Sequence, residues 1–174
     1  MNNDRKLNIG CGRASKDGYI NLDSTELPGV DIIQDLNKYP WPFKDDAFEE
    51  VYCDNMLEHL DNIIAPMEEI FRVLQKGGRV IIKVPIYPSI WAMADPTHKI
   101  FFTYMTFDCF SPTHEFNYYS KARFKIVKRK IIFKYFTPLT WLVNISELTQ
   151  KIYYVFFSFL IPAYSLYFEL VALK

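Results

Sequence analysis

A glycine turn and two aspartates have the residue types and the spacing that suit ligand binding. Gly10 and Gly12 follow a short apolar run, and glycine lets the backbone turn sharply with positive φ and lets a ligand approach closely. Asp23 and Asp35 each follow a further short apolar run. A carboxylate at the first position can accept hydrogen bonds from both hydroxyls of a ribose, and one at the second from an adenine amino group. The pattern predicts a nucleoside-binding site.

One of the three histidines, His98, is the candidate for proton transfer. A neutral imidazole can take a proton from an attacking hydroxyl group. His98 follows the predicted fifth strand, and Asp95 precedes it closely enough to orient the ring. We therefore predict His98 as a general base and Asp95 as its orienter. Loop pinning by His98, and capping of a turn before Pro96 by Asp95, are the open alternatives. His59 is expected to be structural, and His114 is expected to face solvent.

Strands alternating with helices must position these residues in the first half of the chain. Apolar residues recur at three- and four-residue steps from Ile63 to Leu74, which predicts a helix with Pro66 in its first turn and Gly77 as its stop. Alternation of this kind implies a parallel sheet, and such sheets bind ligands beyond the carboxyl ends of the strands. The predicted strands are Leu7–Ile9, Tyr19–Leu22, Asp31–Gln34, Val51–Cys53 and Arg79–Val84.

The second half of the chain is less regular. An uncharged run, Ile152–Phe168, approaches the length of a membrane span. Because Pro162 interrupts it and Glu169 follows at once, we predict a buried helix and then a buried edge strand. The predicted elements are a long loop over 86–119 with a short helix near Thr106–Phe110, a strand Phe124–Phe136, a helix Trp141–Phe159 and a strand Leu166–Leu173.

Composition and charge limit the class of protein. With 174 residues, half of them hydrophobic, the chain is long enough for one globular domain and is not disordered. Residues 1–78 hold 8 Lys or Arg and 15 Asp or Glu, whereas residues 79–174 hold 12 and 5. The acidic half excludes nucleic acid as a partner. The basic, aromatic half leaves an anionic or amphipathic partner open, including peripheral membrane contact.

The cysteines and the start of the chain bear on its compartment. The three cysteines (Cys11, Cys53 and Cys109) are widely spaced and odd in number. They fit neither a disulfide framework nor a zinc site, so we expect no metal and a reducing, cytoplasmic environment. The first residues contain no long apolar run, so no signal peptide is expected.

The spacing around the glycine turn argues against a nicotinamide dinucleotide. That fingerprint needs three glycines opening a helix and an acid about 20 residues further on. Here Ser15 stands at the third glycine position, and Asp23 follows Gly10 by 13 residues. The short connection from Gly12 to Tyr19 has no room for a crossover helix whose N-terminus would hold a pyrophosphate. The acidic first half would tolerate a cationic cofactor instead.

Five ordered segments between Leu7 and Pro85 carry a resemblance to a known family. They are LNIGCG, INLDS, QDL, PWPFKDDAFEEVYCDNMLEHL and FRVLQKGGRVIIKVP. Together they resemble the class I S-adenosylmethionine (SAM)-dependent methyltransferases of the type 11 group. One departure is Asn55, which stands where this family often has a histidine.

The resemblance implies an α/β fold with a Rossmann-like sheet of order 3-2-1-4-5-7-6, an antiparallel last strand and helices on both faces. Residues 1–174 would form a single domain, with a cofactor-binding half over 1–85 and a substrate-side loop and C-terminal strands over 86–174. The glycine turn would lie along the methionine part of SAM, and the residues after strands two, three and four would line the pocket. The implied cofactor-binding residues are Gly10, Cys11, Gly12, Asp23, Asp35, Leu36, Asp54 and Asn55.

The resemblance also implies methyl transfer from SAM to an oxygen or nitrogen of a small-molecule or glycan-type acceptor, which leaves S-adenosylhomocysteine. The segment Asp95–His98 resembles members found among glycan and surface-polysaccharide biosynthesis enzymes. Tyr87, Trp91 and Phe101 are candidate walls of the acceptor pocket. Three other functions stay open: a nucleotide-binding oxidoreductase, a non-catalytic SAM-binding or scaffold protein, and a membrane-surface methyltransferase with a lipid-linked acceptor.

Overall fold

Seven strands form one mixed sheet in a computed structural model that describes residues 5–174. The strand order is β3-β2-β1-β4-β5-β7-β6, and β7 runs antiparallel to both of its neighbours. The predicted order and the antiparallel last strand are therefore confirmed. The strands are β1 (Lys6–Ile9), β2 (Ile20–Asp23), β3 (Ile32–Ile33), β4 (Phe48–Asp54), β5 (Leu74–Pro85), β6 (Phe124–Ile132) and β7 (Ser165–Ala172).

Four short α-helices accompany the sheet. They are α1 (Ile64–Val73), α2 (Ile90–Met93), α3 (Thr137–Val143) and α4 (Glu147–Ile152). Single 3₁₀ turns cover Leu57–His59, Thr106–Phe110 and Asn117–Tyr119, and a π-helical turn, Tyr153–Phe157, continues α4. The expectation about a signal peptide concerns the first residues, of which 1–4 lie outside the described part of the chain.

The predicted helix before β5 forms for the reason that the sequence suggests. Its apolar positions Met67, Ile70 and Val73 are fully buried, so α1 packs one face on the sheet. The helix ends sooner than expected because Leu74 already has the extended backbone of β5. Gly77, with φ of +73°, lies in the first part of β5. The prediction of Gly77 as the helix stop was therefore wrong.

The core is centred on the middle strands. Alternate residues of β5, namely Val80, Ile82 and Val84, are fully buried, as the two-residue period of a strand requires. Each such burial contributes about 1.5–3 kcal/mol relative to exposure. Polar residues on the ends of these strands are thus held by a rigid scaffold.

Loops, rather than helices, connect the first four strands. None of the three connections from β1 to β4, all within the described residues, contains an α-helix. The β1–β2 loop is held instead by the buried side chains of Asn8 and Asn21. The side-chain oxygen of Asn21 accepts from the Asn8 side chain (2.9 Å) and from the backbone amide of Lys16 (2.8 Å). The expectation that this connection has no room for a crossover helix is confirmed.

The C-terminal third differs most from the sequence predictions. The strand from Phe124 ends at Ile132, and the helix expected over Trp141–Phe159 is divided before Ser146, which caps α4 by accepting from the Thr149 amide. The last strand, β7, lies inside the sheet between β5 and β6, so its prediction as an edge strand was wrong.

The run Ile152–Phe168 is only partly buried. Its strand residues Leu166 and Phe168 are fully buried, but Phe156 and Leu160 are 69% and 77% exposed. The prediction of a packed helix was therefore wrong for the part before Pro162. Among the described residues, no helix combines the length and the apolar character needed to cross a membrane.

Candidate active site

The glycine turn after β1 uses its two glycines for different physical reasons. Gly10 has φ of +63°, and a Cβ there would lie 2.1 Å from Cγ of Met56. Gly12 has φ of +50°, and a Cβ there would meet nothing within 4 Å. Gly10 is therefore required by packing on the protein side, whereas Gly12 leaves an open backbone surface that a ligand can approach.

Asp23, at the end of β2, joins the first two strands through the turn. One carboxylate oxygen accepts from the Gly12 amide (2.7 Å), and the other accepts from the Thr25 amide (2.9 Å). Each oxygen of an ionised carboxylate has two lone-pair sites, so both retain capacity for a further donor. Asp23 can thus hold the turn and a ligand hydroxyl together.

A first cleft, about 350 Å³ in volume, lies beyond the ends of β1, β2 and β3. Its volume falls in the usual range for small-molecule sites, about 300–1,000 Å³. It gathers predicted cofactor residues that are far apart in sequence. Those that line it are Gly10, Gly12, Asp23, Asp35, Leu36 and Asn55.

Asp35 presents an ionised carboxylate to this cleft. The Asn37 amide donates to it at 3.0 Å, and Lys38 lies 3.4 Å away. The hydrogen bond from Asn37, reinforced by Lys38, holds the pKa of Asp35 below its usual range. A carboxylate at the rim can accept from an amino group.

Two predicted cofactor residues do not line the first cleft. Cys11 is buried, and its burial raises the pKa of the thiol. Asp54 accepts from the Tyr52 hydroxyl (2.6 Å) and from Lys83 (2.9 Å). Its neighbour Asn55 does line the cleft, with φ of +50°, a conformation that asparagine tolerates better than most residues.

A second cleft, about 500 Å³ in volume, adjoins the first beyond the end of β5. The two clefts share Asn55 and His59. The second is lined by His98 and Asp95, the predicted base and orienter, and by Trp91. Tyr87 and Phe101, the other two candidate walls, do not line it. Instead, their rings lie 5.9 Å apart, and half of the Phe101 side chain is exposed.

His98 has a defined tautomer in this cleft. Its Nδ1 lies 2.9 Å from the carbonyl oxygen of Ala92, and because a carbonyl can only accept, Nδ1 carries the hydrogen. The Nε2 atom is then free to accept a proton. It lies 3.9 Å from a carboxylate oxygen of Asp95 and from one of Glu58. Ala92, rather than Asp95, therefore orients the ring, and Asp95 is placed to stabilise its protonated form.

Glu58 is the most unusual group beside His98. Its side chain is fully buried, and neither carboxyl oxygen has a hydrogen-bond partner among the described residues. Burial raises the pKa of Glu58 to about 7, although the nearby His98 acts in the opposite direction. Glu58 can therefore hold or release a proton near neutral pH at the wall of the cleft.

His59 lies between the two clefts and is fixed by a hydroxyl. Thr97 donates to Asp95 (2.6 Å), so its oxygen accepts from Nδ1 of His59 (2.9 Å). The rings of His59 and His98 are 4.8 Å apart. Desolvation lowers the pKa of His59. Neither Glu58 nor His59 was predicted as a site residue, although the Glu-His pair after β4 is visible in the sequence.

Three side chains here could also approach a cation. Ligand atoms of Glu58, His59 and His98 lie within 4.8 Å of one another. Neighbouring ligands on a tetrahedral zinc ion are only about 3.4 Å apart, given bonds of about 2.1 Å. The three side chains would have to draw together to hold a metal ion, and no metal is expected from the sequence. The geometry observed suits proton exchange better.

The sheet order, the antiparallel β7 and the cleft beyond β1 to β3 define the class I methyltransferase fold. Solved structures share this fold at low identity. A SAM-dependent methyltransferase from Archaeoglobus fulgidus is 19% identical, with a TM-score of 0.64 over 98% of this chain and 86% of that chain. One from Mesorhizobium loti is 16% identical, with a TM-score of 0.58 over 96% and 90%. Phosphoethanolamine N-methyltransferase 2 of Haemonchus contortus, solved with S-adenosyl-L-methionine, is 13% identical, with a TM-score of 0.58 over 98% and 49%.

Residues 20–82 match the family model of a methyltransferase domain, that of type 11. The matched segment runs from β2 into β5 and contains Asp23, Asp35 and Glu58. No curated protein sequence matches the chain. The family match and the fold confirm the resemblance to the type 11 group of class I SAM-dependent methyltransferases, whose cofactor is SAM, as predicted.

Proposed function

We propose that the chain is a methyltransferase that transfers a methyl group from SAM to an oxygen or nitrogen of an acceptor bound beside His98. The observation that carries this proposal is the junction of the two clefts at Asn55 and His59. A cofactor in the first cleft and an acceptor in the second would meet there. Holding two reactants in contact away from bulk water supplies much of the rate of a displacement reaction.

The residues of the first cleft fit the cofactor. Gly12 leaves its backbone open, Asp23 has unused acceptor sites for ribose hydroxyls, and Asp35 can accept from the adenine amino group. When bound, SAM supplies an electrophilic methyl group on a sulfonium centre. The carboxylates of this acidic half favour that positive charge over a diphosphate.

The residues of the second cleft fit deprotonation of an acceptor. A neutral hydroxyl is a poor nucleophile, so its proton must leave as it attacks. We assign that proton to Nε2 of His98, the nitrogen left free by the bond from Nδ1 to Ala92. Asp95, 3.9 Å from Nε2, would then stabilise the imidazolium, and Glu58 at the same distance would do so in its ionised form. A cytoplasmic location suits the three free cysteines.

Cofactor selectivity tests the proposed function directly. We expect SAM and S-adenosylhomocysteine to bind and NAD not to bind, because no helix begins at the glycine turn to hold a pyrophosphate. Titration calorimetry with S-adenosylhomocysteine and NAD measures this. Tighter binding of NAD would overturn the proposal. Binding of S-adenosylhomocysteine without methyl transfer to any cell fraction would favour the scaffold alternative.

Replacing Asp23 with alanine is expected to weaken S-adenosylhomocysteine binding by about ten- to a hundredfold. A charge-assisted hydrogen bond contributes about 1.5–3 kcal/mol, and the Gly12 amide loses its partner as well. Asp31→Ala is the matched control, since Asp31 accepts from the Asn21 amide (2.7 Å) but does not line the cleft. Unchanged affinity in a folded Asp23→Ala protein would make Asp23 a turn residue only.

A further inference from the structure

The surface formed by α3, α4 and the turn after them has its apolar side outward. Between residues 135 and 161, thirteen large apolar side chains are exposed, including Trp141, Phe156, Phe159 and Leu160 at 69–77%. We call these thirteen side chains the apolar face. Exposed patches of this extent are rare on proteins that have no partner there.

The inner side of the same elements is partly polar. Gln150 is buried, donates to the Arg129 carbonyl (2.8 Å) and accepts from the Tyr104 hydroxyl (3.0 Å). Ser158 is buried too and donates to the Tyr154 carbonyl (2.6 Å). A helix of a soluble protein normally points its apolar side to the core. Here large apolar side chains cover the outer side as well, so the apolar face is available to contact a partner or a bilayer.

Positive charge flanks the apolar face. The stretch 125–151 holds six Lys or Arg and one Glu. Lys128 and Arg129 pair with Glu169 and Asp108. The other four, which form no ion pair within the described residues, are exposed: Lys125, Lys130, Lys134 and Lys151. Basic residues beside exposed Trp and Phe side chains are the signature of a surface that lies on an anionic bilayer.

An apolar groove links this face to the second cleft. The groove has a volume of about 380 Å³, and its walls include Ile90, Phe136 and Ile161. Trp91 and Tyr164 line both the groove and the His98 cleft. Lys134 lies 4.5 Å from the centre of the Trp91 ring at this junction. A molecule with a hydrocarbon chain and a polar head could therefore occupy the groove and the cleft at once.

We propose that the apolar face docks this protein on an anionic lipid bilayer and that the groove receives the hydrocarbon part of a lipid-linked acceptor. The docking stands on its own, whereas the role of the groove rests on the proposed methyl transfer. A second copy of the chain fits the face less well, because a symmetric contact would bring the same unpaired lysines together. A bilayer with anionic headgroups neutralises them instead.

Vesicle binding tests the docking. We expect the full chain to co-sediment with vesicles of phosphatidylglycerol and phosphatidylcholine, and about tenfold less with phosphatidylcholine alone. Phe156→Ser with Leu160→Ser should weaken binding by about tenfold or more. Ile33→Ser, at a position on the far edge of the sheet that is more than half exposed, should leave vesicle binding unchanged. Lys134→Glu with Lys151→Glu should lower binding by about tenfold, and Lys76→Glu should leave it unchanged.

The role of the groove in binding the acceptor is tested with a separate variant. Ile90→Glu places a charge at an exposed wall of the groove. We expect it to abolish transfer of label from SAM to the organic-soluble fraction of a membrane extract. Vesicle binding and S-adenosylhomocysteine affinity should stay within about twofold of wild type, because Ile90 belongs to neither the apolar face nor the first cleft. Unchanged labelling of that fraction would overturn the role of the groove.

Two results would overturn the docking. One is a wild-type chain that remains in solution with both kinds of vesicle while it binds S-adenosylhomocysteine normally. The other is a stable dimer that Phe156→Ser with Leu160→Ser converts to a monomer, which would assign the apolar face to a second copy. Vesicle binding without S-adenosylhomocysteine binding would support the docking and count against the proposed function, so the two failures are distinguishable.

Discussion

His98→Ala is expected to lower methyl transfer by about 10²–10⁴-fold, the usual contribution of a positioned general base. The structure leaves Nε2 of His98 without a hydrogen, because Nδ1 donates to Ala92. It also places the carboxyl groups of Asp95 and Glu58 3.9 Å from Nε2, where each, when ionised, would stabilise the protonated ring. The measurement is transfer of tritiated methyl groups from SAM to cell-extract fractions.

The same variant should bind S-adenosylhomocysteine within about twofold of wild type, because His98 lines only the second cleft. His114→Ala is the matched control, since that histidine is half-buried in a loop and accepts from the Phe116 amide. It should retain full turnover. Intact turnover in His98→Ala, or loss of cofactor binding in the folded variant, would leave His98 as a loop-pinning residue.

Glu58→Gln should flatten the pH dependence of stability near neutrality. The pKa of Glu58 is about 7 in the folded protein because of burial, against an ordinary value of 4.5. The folded state therefore binds more protons than the unfolded state between these values, and the free energy of unfolding falls as pH rises. Over that window the wild type should lose about 3 kcal/mol relative to the glutamine variant.

Urea denaturation between pH 5 and pH 8, with EDTA present, measures this difference. The glutamine side chain is itself buried, so it changes the free energy of unfolding by a similar amount at every pH. Only the slope of that free energy against pH therefore shows whether Glu58 titrates. Glu115→Gln, at an exposed position, is the control, and its free energy of unfolding should change with pH as that of the wild type does. Parallel curves for Glu58→Gln and wild type would show that Glu58 does not titrate in this window.

The sequence by itself placed the short strands before β5, and the family resemblance that it carries implied the order of the sheet, which the structure confirms. Each short apolar run before β5 is followed by residues that suit a strand end, so the sequence could predict that Gly12, Asp23 and Asp35 share one cleft. Local patterns suffice here because parallel strands bring their carboxyl ends to one edge. The sequence could not show that Cys11 and Asp54 lie outside the first cleft, since the direction of a side chain depends on its neighbours.

Only the tertiary structure decided how the second half of the chain contributes. Glu58 and His98 are 40 positions apart in sequence, and their approach depends on how the loop after β5 folds back, which no periodicity encodes. The outward direction of the apolar face was likewise invisible. A run of Phe, Leu and Ile looks the same whether it faces a core or a bilayer, because the hydrophobic effect has no direction of its own. The buried Gln150, which bonds to Arg129 and Tyr104, and the buried Val143 and Tyr153 show which side of these helices packs on the protein.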